Sequence, residues 1–205
     1  MEYFVALAFF AFASSATPGP NNVMVMTSGL NFGVRPSIPL LLGICIGFSL
    51  MIVVVGLGFS HLFTVFPSLH LLIKIIGTGY LLYLAYLITK TPSTTTKETS
   101  DKPLTFINGA LFQWVNAKAW VVATGAIAVY SSSDAELINQ TIIIALVFLV
   151  VSLPSVGLWL VAGSILSHWL KHENKRKAFN YVMAFLLVLS VFPVISELMA
   201  IMLAT

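Results

Sequence analysis

Charged side chains are scarce in this sequence. Lysine, arginine, aspartate and glutamate together make up 8% of the 205 residues, whereas a soluble domain carries about 25%. A chain with so few charges cannot cover a water-facing surface, which excludes a soluble globular protein. The hydrophobic share of 59% and the mean hydropathy of +0.99 predict an integral membrane protein, because lipid suits such a surface.

Three further absences narrow the function. Cys45 is the one cysteine, so the chain forms no internal disulfide, and this residue is expected to be a small buried apolar side chain. No acidic residue lies deep in an apolar segment, which excludes the usual carboxylate proton relay. No acidic, histidine or cysteine cluster offers metal ligands, and serine, histidine and acid residues do not converge within the segments, so no enzyme, metal or cofactor is expected.

Six long apolar segments are present, at residues 4–27, 37–60, 68–89, 104–130, 137–166 and 179–200. A span needs about 20 apolar residues, and continuous segments of this length indicate helices rather than the short alternating strands of a membrane barrel. We therefore predict one transmembrane domain over residues 1–205. Its halves are about 1–90 and 104–205, joined by a polar loop at about 91–103.

Basic residues occupy every second loop. Arg35, Lys97 and Lys175 mark the loops after the first, third and fifth segments, and the loops between them have no lysine or arginine. Positive loops stay in the cytoplasm, so these three loops are predicted to be cytoplasmic and both termini to lie outside. A cleaved secretory signal is the alternative for the first segment, but Glu2 stands where a signal would be basic.

The two halves carry corresponding interruptions. Three segments per half make the second half enter from the opposite side, which predicts two inverted three-helix repeats, an architecture of secondary transporters. The first segment of each half is interrupted, by T-P-G-P-N-N at 17–22 and by Q-W-V-N-A-K at 113–118. Such paired interruptions point to the binding site of a transporter.

The first interruption predicts a broken helix. Pro18, Gly19 and Pro20 stand in a row, and each disfavours a continuous helix. A new helix beginning near Pro20 would present its N-terminus to an anion such as a carboxylate, with Asn21 and Asn22 beside it. The alternative is a structural kink whose asparagines bond neighbouring helices, but so many breakers favour a lined cavity.

Lys118 is the charged residue in the second interruption. It lies roughly 18–20 Å from either end of its segment at 1.5 Å rise per residue, too far to reach the membrane surface. Such a charge usually faces a cavity, unless the segment begins later than predicted. Gln113 and Asn116 share one helix face, whereas Lys118 points nearly opposite. One cavity for all three requires the helix to unwind at 116–118, which nothing in N-A-K demands.

A glycine pair in the second segment predicts close helix packing. Gly43 and Gly47 form a GxxxG motif, which brings helices together within a subunit or between two subunits. The oligomeric state stays open, although this motif and the short loops favour a homodimer.

The motifs together resemble a known family. T-P-G-P-N-N, the G-x-x-x-G of the second segment and N-A-K at 116–118 resemble the LysE/RhtB family of bacterial amino-acid exporters, along essentially the whole chain. Ala117 stands where that family usually has the proline of N-P-K, which bears on the second helix break. F-Q-W-V-N-A-K is also similar to the cysteine and O-acetylserine exporter branch.

The resemblance implies export of a small amino acid or derivative, driven by proton motive force. We therefore predict a secondary transporter of the bacterial inner membrane whose two halves rock around the site in alternating access. A channel or permease for another small solute or a metal ion is the alternative. The predicted substrate-binding residues are Thr17, Pro18, Gly19, Pro20, Asn21, Asn22, Gln113, Asn116 and Lys118.

Overall fold

All regular structure in the described part of the chain is helical. The computed structural model describes residues 2–59, 67–90, 102–131, 136–170 and 172–203. Its helices are α1 Glu2–Ala16, α2 Pro20–Phe32, α3 Val34–Val54, α4 Pro67–Lys90, α5 Phe106–Val115, α6 Ala117–Tyr130, α7 Leu137–Trp169 and α8 Glu173–Leu203. A short π-helical segment, Val55–Phe59, continues α3. The prediction of an all-helical chain is confirmed for these residues.

The helices follow the predicted apolar segments. The first segment divides into α1 and α2, the fourth into α5 and α6, and each of the others matches one helix, although α8 begins ahead of its segment. Among the described residues, Val34–Gly58 and Leu137–Trp169 are long and apolar enough to cross a membrane, and α1 and α6 are shorter apolar helices. Residue 60 and most of the predicted polar loop, including Lys97, lie outside the described residues.

The outer surface is apolar while polar side chains are buried. Phe9, Val121 and Val129 are 70–73% exposed, as expected of side chains that face lipid. Asn22, Gln113, Asn116 and Asn180, by contrast, are at most 3% exposed. A polar interior within an apolar exterior is the arrangement of a membrane protein that encloses a polar site.

Glycines bring two helix pairs into backbone contact. A Cβ atom at Gly43 would lie 2.1 Å from the carbonyl oxygen of Phe106 in α5, and one at Gly47 would lie 2.6 Å from the Cα of Ala110. The GxxxG motif therefore packs α3 against α5 within the chain. Helices α2 and α7 meet in the same way, because a Cβ at Gly163 would lie 2.0 Å from the oxygen of Met26. These contacts hold the two interrupted segments against α3 and α7.

Candidate functional site

The first helix break lies between α1 and α2. Helix α1 ends at Ala16, and α2 begins with Pro20 as its first residue, a position where the missing proline N–H is not needed. Between them Gly19 is fully extended (φ −173°, ψ 179°). The N–H of Val23 then donates to the oxygen of Gly19 at 3.0 Å, the first hydrogen bond of α2. The proline-rich stretch thus breaks the helix as predicted.

Side chains from three other positions satisfy the carbonyls that this break exposes. The amide nitrogen Nδ2 of Asn22 donates to the oxygens of Ser15 and Thr17, at 3.0 and 2.9 Å. The indole Nε1 of Trp159 in α7 donates to the oxygen of Ala16 at 3.1 Å. The Nζ of Lys118 in α6 donates to the oxygen of Thr17 at 2.8 Å. Carbonyls at a helix end need such partners, and these come in part from α6 and α7, so the break is part of the tertiary structure.

The second break lies at Asn116 and forms without a proline. Asn116 has an extended conformation (φ −84°, ψ 104°) that ends α5. Its Oδ1 accepts a hydrogen bond from the N–H of Lys118 at 3.1 Å and so caps α6. The indole Nε1 of Trp120 donates to the oxygen of Trp114 at 2.8 Å. The cap by Asn116 and the hydrogen bond from Trp120 thus stabilise a helix break without the prolines that interrupt the first segment.

The two breaks meet at one cavity of about 50 Å³, called the central cavity. Its lining residues come from five helices and both breaks: Ser14, Ser15, Gly19, Pro20, Asn21, Asn22, Ile44, Cys45, Phe48, Asn116, Lys118, Ala119, Val122, Ser152 and Val156. A cavity of this size has room for water, which needs about 10–15 Å³. The interruptions predicted in the two halves therefore face each other across this cavity.

Some predicted site residues lie elsewhere. Thr17 and Pro18 are exposed and do not line the central cavity, although the carbonyl of Thr17 holds Lys118. Gln113 is fully buried and bonds Asn21 beside the cavity rather than lining it. The unwinding that Asn116 and Lys118 require to share one cavity is present, because the helix is interrupted between them.

Positive potential concentrates around Lys118. This residue lies in the first turn of α6, and α2 begins at Pro20 on the opposite wall. A helix N-terminus carries a partial positive charge, so two helix ends and an ammonium group surround the same space. The described residues that line the central cavity include no carboxylate. This wall therefore suits an anionic group.

Asn22 supplies an acceptor in the same cavity. The groups that face its Nδ2 are carbonyls, which only accept hydrogen bonds, so the orientation of the amide is determined. Its Oδ1 is buried and has no hydrogen-bond partner among the described residues. Unsatisfied buried acceptors are uncommon and call for a ligand or water. Asn22, which lines the cavity, thus holds an unpaired acceptor near the donors of Lys118 and α2.

A reciprocal amide pair joins the two halves beside this cavity. Asn21 Nδ2 donates to Gln113 Oε1, and Gln113 Nε2 donates to Asn21 Oδ1, both at 3.0 Å. Gln113 Nε2 also donates to the oxygen of Gly109 at 2.9 Å. The pair connects α2 to α5.

Several site residues escaped sequence reasoning. Cys45 is buried as expected, yet it lines the central cavity with Ser152. Nothing in the spacing around Cys45 indicates this, because a single small residue in an apolar helix looks the same wherever it faces. Trp159 also carries no local signal, since its partner Ala16 is 143 residues away.

We expect Gln113→Leu to destabilise the protein by about 1–3 kcal/mol, because it leaves the amide of Asn21 without its partner. The apparent unfolding temperature of the purified protein measures this loss. The double variant Asn21→Leu/Gln113→Leu is the matched control and should recover part of the stability, because both polar groups are then removed. The pairing would be contradicted if the loss in the double variant equalled the sum of the losses in the Asn21→Leu and Gln113→Leu single variants.

Interrupted helices whose two breaks meet at one cavity, inside an apolar exterior, define a membrane transport protein rather than an enzyme. This chain belongs to the LysE type translocator family, because the sequence model of that family matches residues 12–196. Its relatives include the cysteine/O-acetylserine efflux proteins of Salmonella paratyphi A and Salmonella typhi, each 27% identical over 85% of this chain and 88% of theirs. The protein of the same name in Escherichia coli O1:K1 is 26% identical over the same shares. No solved structure matches the chain.

Proposed function

We propose that this protein is a secondary transporter that exports a small amino acid or amino-acid derivative across the bacterial inner membrane. The observation that carries the proposal is the contact between the two breaks, where Lys118 donates to the oxygen of Thr17 at 2.8 Å. A substrate bound there would touch both halves of the chain at once. The cysteine/O-acetylserine efflux activity printed in the names of relatives supports a small polar amino acid as the substrate.

The substrate would lie between the ends of two half-helices. Its carboxylate would meet Lys118 and the N-terminal turn of α2, because an ammonium has three donors and Lys118 uses one of them for Thr17. Its ammonium would meet the free Oδ1 of Asn22. Cys45 and Ser152 would lie along the substrate side chain, in a wall that small residues keep open.

Alternating access would move two inverted three-helix repeats around this site. The six spans would be α1–α2, α3 and α4, followed by α5–α6, α7 and α8. The close crossings at Gly43 and Gly163 lie toward the loops that the basic residues predict to be cytoplasmic. On the other side, a Cβ at Gly56 would lie 2.4 Å from the side chain of Thr141 in α7, so helices also cross closely at that end.

The membrane orientation is inferred from charge. Arg35 lies in the first turn of α3 and Lys175 in the first turn of α8, at ends that the positive-inside rule assigns to the cytoplasm together with the loop at Lys97. Both termini would then lie outside. A reporter enzyme that is active only outside the cytoplasm, fused to the C-terminus, should be active, and an inactive fusion of an inserted protein would reverse the orientation.

Inside-out membrane vesicles should accumulate labelled O-acetyl-L-serine or cysteine only when they contain this protein. Export from the cytoplasm becomes uptake in such vesicles, so the initial rate of uptake measures it directly. Collapsing the proton gradient with an uncoupler tests whether protons drive the transport. Vesicles that contain the inserted protein but accumulate neither compound, nor other small amino acids, would refute the proposed function.

A further inference from the structure

A second cavity, the side cavity, lies along α2 beyond the central cavity. It has a volume of about 110 Å³, and its polar lining includes Thr27, Ser28, Asn31, Lys90 and Lys102. Residues 24, 27, 28 and 31 repeat at helical spacing and share one face of α2. Asn21 lies on the same face one turn earlier and contributes to the central cavity. Helix α2 therefore borders both cavities, with the apolar Met24 between Asn21 and the polar residues of the side cavity.

The floor of the side cavity carries a hydroxyl group that has no partner. Thr27 is 4% exposed, and its Oγ1 has no hydrogen bond in the part of the chain that is described. A threonine inside a helix usually bonds the carbonyl one turn earlier. The neighbouring polar groups are already paired, since Ser28 bonds Ser37 and Asn31 bonds Asn180. The free group at this floor is thus a hydrogen-bond donor.

Two lysines stand at the mouth of the side cavity. Lys90 ends α4, and Lys102 lies ahead of α5, and both side chains are exposed while they line the cavity. The described residues around this cavity include no carboxylate that would neutralise them. The salt bridge among the described residues, from Lys177 to Glu173, lies on α8. The two lysines therefore offer positive charge to an anion, and the floor can donate a hydrogen bond to one.

We infer that the side cavity is a second binding station for the carboxylate of a small solute, on the side from which the exported substrate enters. The amide pair of Asn21 and Gln113, which joins α2 to α5, would separate this station from the central cavity. The substrate would wait at Lys90, Lys102 and Thr27 until that pair opens. The direction of substrate movement in this inference rests on the proposed function, whereas binding of a carboxylate at the side cavity does not depend on it.

The experiment measures binding without transport. The full-length protein with Lys118→Met, which weakens the central cavity, is purified in neutral detergent and titrated with O-acetyl-L-serine and with its methyl ester, which lacks the carboxylate. Ligand-induced thermal stabilisation gives the affinity. We expect the free acid to stabilise this variant and the ester to do so much less. Adding Lys90→Met and Lys102→Met should raise the dissociation constant about fivefold per lysine.

Two further variants separate a binding role from a structural one. Lys175→Met removes an exposed charge elsewhere and should leave the affinity unchanged. Thr27→Val should weaken binding about two- to tenfold without lowering the unfolding temperature of the free protein, because it removes an unpaired hydroxyl. Unchanged affinity in the Lys90/Lys102 variant would overturn the inference. Retention of phosphatidylglycerol by these lysines, with no response to O-acetyl-L-serine, would overturn it in favour of a lipid site.

The two possible failures are distinguishable. If vesicles that contain the unaltered protein show no uptake although the side cavity still binds the acid, the proposed function alone is refuted. Normal uptake by the unaltered protein, together with equal affinities for acid and ester in the Lys118→Met background, would refute the second station alone.

Discussion

Replacing Lys118 with methionine is expected to lower transport of a carboxylate-bearing substrate by about a hundredfold. A hydrogen bond to a charged group contributes about 1.5–3 kcal/mol, and each 1.4 kcal/mol is a factor of ten. Methionine keeps most of the side-chain length over Gly19, where a Cβ would lie 3.1 Å from Cδ of Lys118. The change therefore removes the charge and keeps the packing. Initial uptake rates in inside-out vesicles measure the loss.

The fold should survive this substitution. The oxygen of Thr17 accepts from Asn22 as well as from Lys118, so it keeps a partner when the lysine is gone. We expect normal membrane insertion and a small change in unfolding temperature. Lys118→Arg is the matched control; it retains the charge and should retain more transport, although the close approach of Gly19 limits its larger head group. Transport by Lys118→Met at the unaltered rate would remove Lys118 from the site.

Gly163→Ala is expected to destabilise the protein by about 3 kcal/mol, at the upper end of the usual cost of overpacking. The added Cβ would lie 2.0 Å from the carbonyl oxygen of Met26, and backbone cannot rotate away as a flexible side chain can. Helices α2 and α7 would have to separate. The apparent unfolding temperature in detergent should fall, and the yield of inserted protein should fall with it.

Gly157→Ala is the matched control for this change. Gly157 lies in the same helix, but a Cβ there would meet nothing within 4 Å. Alanine is the better helix former by about 1 kcal/mol, so this variant should be neutral or slightly more stable. Equal effects of the two substitutions would show that the crossing of α2 and α7 is looser than the structure places it.

The first helix break was predictable because its cause is local. Pro18 and Pro20 lack backbone donors and clash with the preceding turn wherever the chain places them. The second break was not predictable in the same way. Asn116 is compatible with a continuous helix, and it ends one here because its side chain caps α6 and Trp120 satisfies a freed carbonyl. Asn116 allows either a continuous or an interrupted helix, and contacts with the surrounding structure decide between these two states.

For the glycines, too, the sequence predicts one part of the packing and the tertiary structure decides the rest. The spacing of Gly43 and Gly47 predicts a close helix contact, and that contact exists. The spacing does not name the partner, because a glycine surface accepts any helix of suitable shape. Packing against α5 places the motif inside the chain, where it holds the second interrupted segment in position.

By itself the sequence determined the membrane class, the helical architecture and the first break, since each follows from composition or from the sterics of neighbouring residues. Only the tertiary structure decided what the site residues contact. Lys118 reaches the carbonyl of Thr17 across 101 residues of chain, and Asn22 turns its amide toward α1 and leaves Oδ1 free. Local sterics cannot encode such contacts, because they exist only after distant helices have packed together.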